Sequence, residues 1–222
     1  MSEEVISCPI CSEPATELFP GVYKCTKCRH VTDQSMVVDA MGYCEEKKKG
    51  TCDYKEVIES DIARMNSRWE FVLRHTKGKK TLLDYGCADN HFIKCAPEGH
   101  GFEELVGFDT NWMTGFQDER KLDRHYDVLT MWHSLEHIRI PRMVVDRVSH
   151  EYLILAIPWA EFLTNENIAR LNIFNAGRHV HLYTRESFFN TFNDYELLEE
   201  NYDDGHLAGY NDEIVSFALR KK

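Results

Sequence analysis

The chain has 222 residues, 43% of them apolar and 12% aromatic, and a formal net charge of −11. That length suits one α/β domain of ordinary size plus a mini-domain, and the apolar fraction excludes a disordered chain. The opening MSEEVISCPI is acidic, and nowhere do eighteen apolar residues follow one another. Neither a signal peptide nor a membrane span is therefore expected, which makes the cytoplasm the expected compartment. The acidic balance also disfavours a nucleic-acid partner, because phosphate binding draws on clustered Lys and Arg.

The first feature along the chain is a pair of CxxC motifs, Cys8-Pro-Ile-Cys11 and Cys25-Thr-Lys-Cys28. The intervening segment, with Pro20-Gly21 at its centre, has hairpin length and would bring the two pairs together. Four thiolates then close a tetrahedral zinc site, with bonds of about 2.3 Å and no open position, so the metal is expected to be structural. His30 is an alternative fourth ligand in place of Cys28. Cys44, Cys52, Cys87 and Cys95 are spaced irregularly and read as ordinary residues. The expected organisation is a zinc ribbon over 1–45 and a catalytic domain over 46–222.

The run Glu45 to Gly50 reads as a solvated turn or linker. Apolar residues at 54, 57, 58, 62, 65, 69, 72 and 73 predict an amphipathic helix ending near His75. Four short apolar runs follow: Thr81 to Tyr85, Leu105 to Asp109, Tyr126 to Trp132 and Tyr152 to Ile157. Separated by helix-sized segments, they predict a parallel sheet built from βαβ units. Thr184 is placed to cap a helix over Arg185 to Phe192, and alternating runs at Tyr195 to Tyr202 and Glu213 to Arg220 predict a final antiparallel pair.

The first of these strands ends in Gly86-Cys87-Ala88-Asp89-Asn90 and runs into a helix, an arrangement in which small residues let the backbone approach a ligand closely. About twenty residues on, the second strand closes with Asp109, whose carboxylate could accept from both ribose hydroxyls of an adenosine. With these residues in view, LLDYGCADNHF, VGFDTN, YDVLTMWHSLEHI and LAIPW resemble motifs of the Rossmann-like S-adenosylmethionine-dependent methyltransferases, over about residues 54–222. CPIC and CTKC ahead of them resemble the zinc-ribbon branch that includes sugar C-methyltransferases, close to the ubiquinone-type enzymes.

The resemblance implies an α/β fold: a Rossmann-like, mostly parallel seven-stranded sheet with flanking helices, preceded by the ribbon. It implies that Asp84 and Gly86 shape the methionine end of the cofactor site, that Asp109 holds the ribose and that Trp112 lies near the adenine. The family loop reads D-x-G-x-G-x-G, and here Ala88 and Asn90 occupy the second and third glycine positions. Only sixteen residues separate Asp109 from Tyr126, short for the usual helix and strand.

In an open α/β sheet the strand ends at Gly86 and at Trp132-His133 are expected to be neighbours, which brings His133, Ser134, Glu136 and His137 beside the methyl donor. This H-x-x-E-H cluster has two readings: a general base on a hydroxyl or acidic carbon, or ligands for a divalent metal. His133 stands where related sequences carry a carboxylate, and hard cations prefer oxygen, so the base is favoured, with His137 or His133 as proton acceptor. His179-Val-His181-Leu-Tyr-Thr184 resembles the family's H-L-x-x-[FY]-[ST] signature, which implies a histidine, His181 or His179, in the acceptor pocket.

The expected reaction moves a methyl group from S-adenosylmethionine to carbon or oxygen of a small polar acceptor, such as a nucleotide-linked sugar. Two alternatives stand beside it. Ribosomal RNA methyltransferases similarly place a zinc module before this fold, and Lys24, Lys27, Arg29 and Lys47 to Lys49 are the basic residues that could support RNA binding. A scaffold protein that has lost its cofactor is the other.

Overall fold

A computed structural model describes residues 5–34, 59–111, 114–161, 179–208 and 213–222. Two sheets organise them. The larger contains β5 (Thr81–Tyr85), β6 (Glu104–Phe108), β7 (His125–Trp132), β8 (Ser149–Pro158), β10 (Tyr195–Asn201) and β11 (Ile214–Lys221), in the order β10-β11-β8-β7-β5-β6. Strands β6, β5, β7 and β8 are mutually parallel, and β11 and β10 complete the sheet antiparallel, as the alternating runs near the end of the sequence predict.

Successive side chains of a strand point to opposite faces, which explains the unbroken apolar runs of the central strands. Leu82, Val128, Ile154 and Ala218 face α1 (Glu59–His75) and join a core with its Met65, Trp69 and Val72. Their neighbours Leu83, Leu129, Leu155 and Phe217 face the other way. There they pack with Val145 of α3 (Pro141–Arg147) and Phe188 of α4 (Arg185–Thr191). Thr184 caps α4 in a reciprocal box with Ser187. Among the described residues no helix is long and apolar enough to cross a membrane.

Two expectations require comment. Six strands, not seven, stand in this sheet among the described residues, and β6 is its outer strand. The stretch after Asp109 includes a 3-10 turn, Glu119–Asp123, before β7 begins. The expected domain boundary at residue 45 and the start of the amphipathic helix at 54–58 lie outside the described residues.

The smaller sheet runs β1 (Val5–Ser7), β2 (Pro14–Phe19), β3 (Val22–Cys25), β4 (Val31–Asp33) and then β9 (His181–Leu182), all antiparallel. Its last strand comes from residues 181–182, so the N-terminal strands are built together with a segment far along the chain. Three hydrogen-bonding contacts fix the joint: Asp33 N donates to Val180 O at 3.0 Å, Thr184 Oγ1 to Cys28 O at 2.6 Å, and His30 Nε2 lies 3.0 Å from His181 Nδ1. His30 Nδ1 is 3.3 Å from Ser187 Oγ, and both histidines are buried. Ring nitrogens so engaged leave His30 no role as a replacement for Cys28.

Candidate active site

The four cysteines converge as the CxxC spacing predicts. Their sulfurs all lie within 4.8 Å of one another, with Cys8–Cys28 at 3.7 Å and Cys11–Cys25 and Cys11–Cys28 at 3.5 Å. The two knuckles are alike. Ile10 N donates to Cys8 Sγ and Lys27 N to Cys25 Sγ, each at 3.4 Å, and the residue after each pair, Ser12 and Arg29, has positive φ. Backbone donors aimed at sulfur favour thiolate.

At the end of β5 the chain turns through Gly86, Ala88 and Asn90 with φ of 79°, 49° and 66°. These are the three glycine positions of the family pattern, and all three are left-handed. Gly86 is obligatory for a second reason: a Cβ there would lie 2.1 Å from Ser134 Oγ. The ends of β5 and β7 are thus neighbours. Asn90 Oδ1 is buried without a hydrogen-bond partner, in the space over Gly107 that a Cβ would invade at 2.3 Å.

Asp109, just beyond β6, fastens this turn. Its Oδ2 accepts from Ala88 N and its Oδ1 from Asn111 N, both at 2.7 Å. An ionised carboxylate offers about four acceptor positions, so each oxygen keeps one for a ligand hydroxyl. Asp84 lies beneath the turn, 3% exposed, accepting from Thr130 Oγ1 at 2.7 Å, and burial pushes its carboxyl up to about 7. Trp112 lies outside the described residues.

His133 follows β7 at φ 51°, with Ser134 turned back onto Trp132 O at 3.1 Å. Leu135–His137 form a 3-10 turn that carries Glu136 to a buried position, 1% exposed. Glu136 Oε2 has no hydrogen-bond partner, and burial pushes this carboxyl up to about 8. Its other oxygen lies 3.9 Å from His133 Nδ1 and 4.0 Å from His137 Nε2. His179 joins them, with one donor atom each of Glu136, His137 and His179 within 4.8 Å, close enough to share a cation.

His181 sits behind this wall. It is 2% exposed and reaches His30 through Nδ1 and Arg139 O, at 3.2 Å, through Nε2. The expectation that it lines the acceptor pocket gives way to a joint role, while Val180 N holds Glu136 O at 2.9 Å and leaves His179 on the site side. Sequence reasoning missed Asp204 on α5 (Asp203–Leu207), whose Oδ2 is 2.7 Å from His133 Nε2, and Arg68 of α1, which grips Asp204 through two bonds. No local spacing could reveal partners 71 and 136 residues apart.

A family model described as a methyltransferase domain matches residues 57–197. The chain belongs to that family, and its mixed α/β architecture is that of a class I S-adenosylmethionine-dependent methyltransferase; the protein is a methyltransferase. Among solved structures it is similar to the plantazolicin methyltransferase BpumL in complex with a monoazolic desmethylPZN analog and SAH. The TM-score is 0.54 at 13% identity, covering 82% of this chain and 93% of that one. It is also similar to the methyltransferase domain of bacterial CtHen1-C, with a TM-score of 0.51 at 13% identity, covering 73% and 99%. No curated protein matches.

Left-handed backbone costs a non-glycine residue about 1–2 kcal/mol. Ala88→Gly should therefore raise stability by about 1 kcal/mol in urea denaturation, and a loss of stability would show that the methyl group packs favourably. The raised Asp84 carboxyl means that the folded state keeps a proton the unfolded chain releases near pH 4. Its contribution is present below that pH and is lost as pH rises through about 7. Asp84→Asn should flatten the fall in stability between pH 5 and 8; an unaltered slope would assign it to other groups.

Proposed function

We propose that this methyltransferase transfers the methyl group of S-adenosylmethionine to carbon or oxygen of a small polar acceptor, such as a nucleotide-linked sugar, in the cytoplasm. The observation that carries the cofactor reading is the left-handed turn at 86, 88 and 90 facing the Asp109 carboxylate. Asp84, Gly86, Ala88 and Asn90 shape the methionine end, Asp109 accepts from the ribose hydroxyls, and Trp112 is assigned to the adenine. When bound, the cofactor's sulfonium supplies an electrophilic methyl group, and the chain's task is alignment and proton removal.

Residues His133, Glu136, His137 and His179 form the acceptor side. Burial keeps Glu136 neutral near pH 7, able to donate a hydrogen bond, and burial also lowers the pKa of His133. We read the cluster as an acid/base wall and not a cation site, because His133, where another oxygen ligand would stand, is turned to Asp204. The wall so read belongs with the sugar C-methyltransferase branch. The four cysteines, residues of a ribbon assigned to 1–45, hold zinc: their 3.5–3.7 Å spacings approach the edge of about 3.8 Å that a tetrahedron of 2.3 Å bonds requires.

RNA is the weaker acceptor. Of the ribbon's cations, Lys27 is paired with Glu13 at 3.0 Å and Arg29 with Glu161 at 2.6 Å, in a chain of charge −11. Glu136→Ala and His137→Ala should each lower turnover about 10²- to 10⁴-fold while cofactor affinity stays nearly constant. Unchanged turnover in both would relegate them to packing. Metal analysis should find about one zinc per chain, and a second bound ion lost in Glu136→Ala would replace the acid/base reading with a metal one.

A further inference from the structure

We propose that Asp204, held in place by Arg68, is a positioning residue that fixes His133 with its Nε2 protonated and presents Nδ1 as the basic atom toward the acceptor. The inference rests on the acid/base reading above and identifies which histidine, and which of its nitrogens, takes the proton.

Asp204 is 3% exposed and Arg68 7%. Arg68 Nε donates to Oδ1 at 2.5 Å and an Nη to Oδ2 at 3.0 Å, and the guanidinium lies 4.8 Å over the Trp132 ring. Such a fork matches a carboxylate on both oxygens. Burial alone would raise the Asp204 carboxyl, but Arg68 and His133 together hold it well below the usual carboxylate range. An ionised carboxylate can only accept, so the hydrogen shared with His133 belongs to Nε2.

The neutral ring then carries its lone pair on Nδ1. That atom has Glu136 Oε1 at 3.9 Å, beyond hydrogen-bond range, and the side chain keeps 27% exposure. Charged and titratable groups meet His133 from three elements: Asp204 on α5, Arg68 and Arg64 on α1, and Glu136 on the 3-10 turn. His133 also stands in left-handed backbone, a conformation kept only where surrounding contacts enforce it.

In the step so defined, Nδ1 takes the proton from the acceptor O–H or acidic C–H. The electron pair left on the acceptor forms the new bond to the methyl carbon, and the carbon–sulfur pair departs onto sulfur as a neutral thioether. The proton stays on His133, whose positive charge faces Asp204.

The test is nitrogen NMR of the full-length protein labelled in histidine, with the His133 signals assigned by their loss in His133→Gln. The expected wild-type spectrum shows the Nε2–H tautomer. Asp204→Asn can offer an N–H to Nε2, and it should shift His133 to the Nδ1–H form. Its kcat should fall about 10²- to 10⁴-fold, with S-adenosylhomocysteine affinity unchanged. An Nδ1–H tautomer in the wild-type protein, or a tautomer shift in Asp204→Asn without loss of kcat, would overturn the proposal. Reading the wild-type tautomer needs no turnover. A protein that transfers no methyl group would therefore sink the functional reading while the tautomer result still decided the inference.

Discussion

The Asp109 carboxylate binds two backbone N–H groups at once, one in the turn after β5 and one just beyond β6. That clasp sets the shape of the crevice between neighbouring parallel strands, and the rest of the site is arranged around it. It holds Ala88 at an angle its side chain disfavours, and the cost is tolerable because both flanking strands are locked in the sheet. Strain of this kind persists where the backbone conformation itself is what a ligand needs.

A second constraint ties the cysteine-bearing sheet to the segment around Glu136. Strand β4 pairs with β9, and β9 begins one residue after Val180, whose N–H reaches the carbonyl of Glu136. The cysteine-bearing strands are therefore linked to Glu136 through consecutive hydrogen-bonded segments. The four-cysteine cluster is thereby joined to the 179–184 segment, and His30 and His181 form the buried contact between them.

Much of this was legible in the sequence because it follows from local pattern. The CxxC spacing, the capped helix after Thr184, the four parallel strands and the antiparallel pair all rest on periodicity or residue spacing, and they form where the pattern places them. The turn at 86–90 was legible despite its missing glycines because Asn, and at some cost Ala, can adopt the same angles. What local pattern does not encode is long-range pairing. His181 looked like a pocket residue because the motif marks its segment, yet its ring is spent on His30, 151 residues away. Arg68 and Asp204 stand 136 residues apart on two helices, and only the fold buries them together. The seventh strand was expected by resemblance, while the shortness of the segment after Asp109 pointed the other way.

The account depends on a crevice that accepts a sulfonium nucleoside. Calorimetric titration of the purified protein with S-adenosylhomocysteine tests this most directly. The account predicts saturable binding of one ligand per chain, abolished in Asp109→Ala, while the fold is retained. An absence of saturable heat in the wild-type protein, or equal affinity in Asp109→Ala, would contradict it.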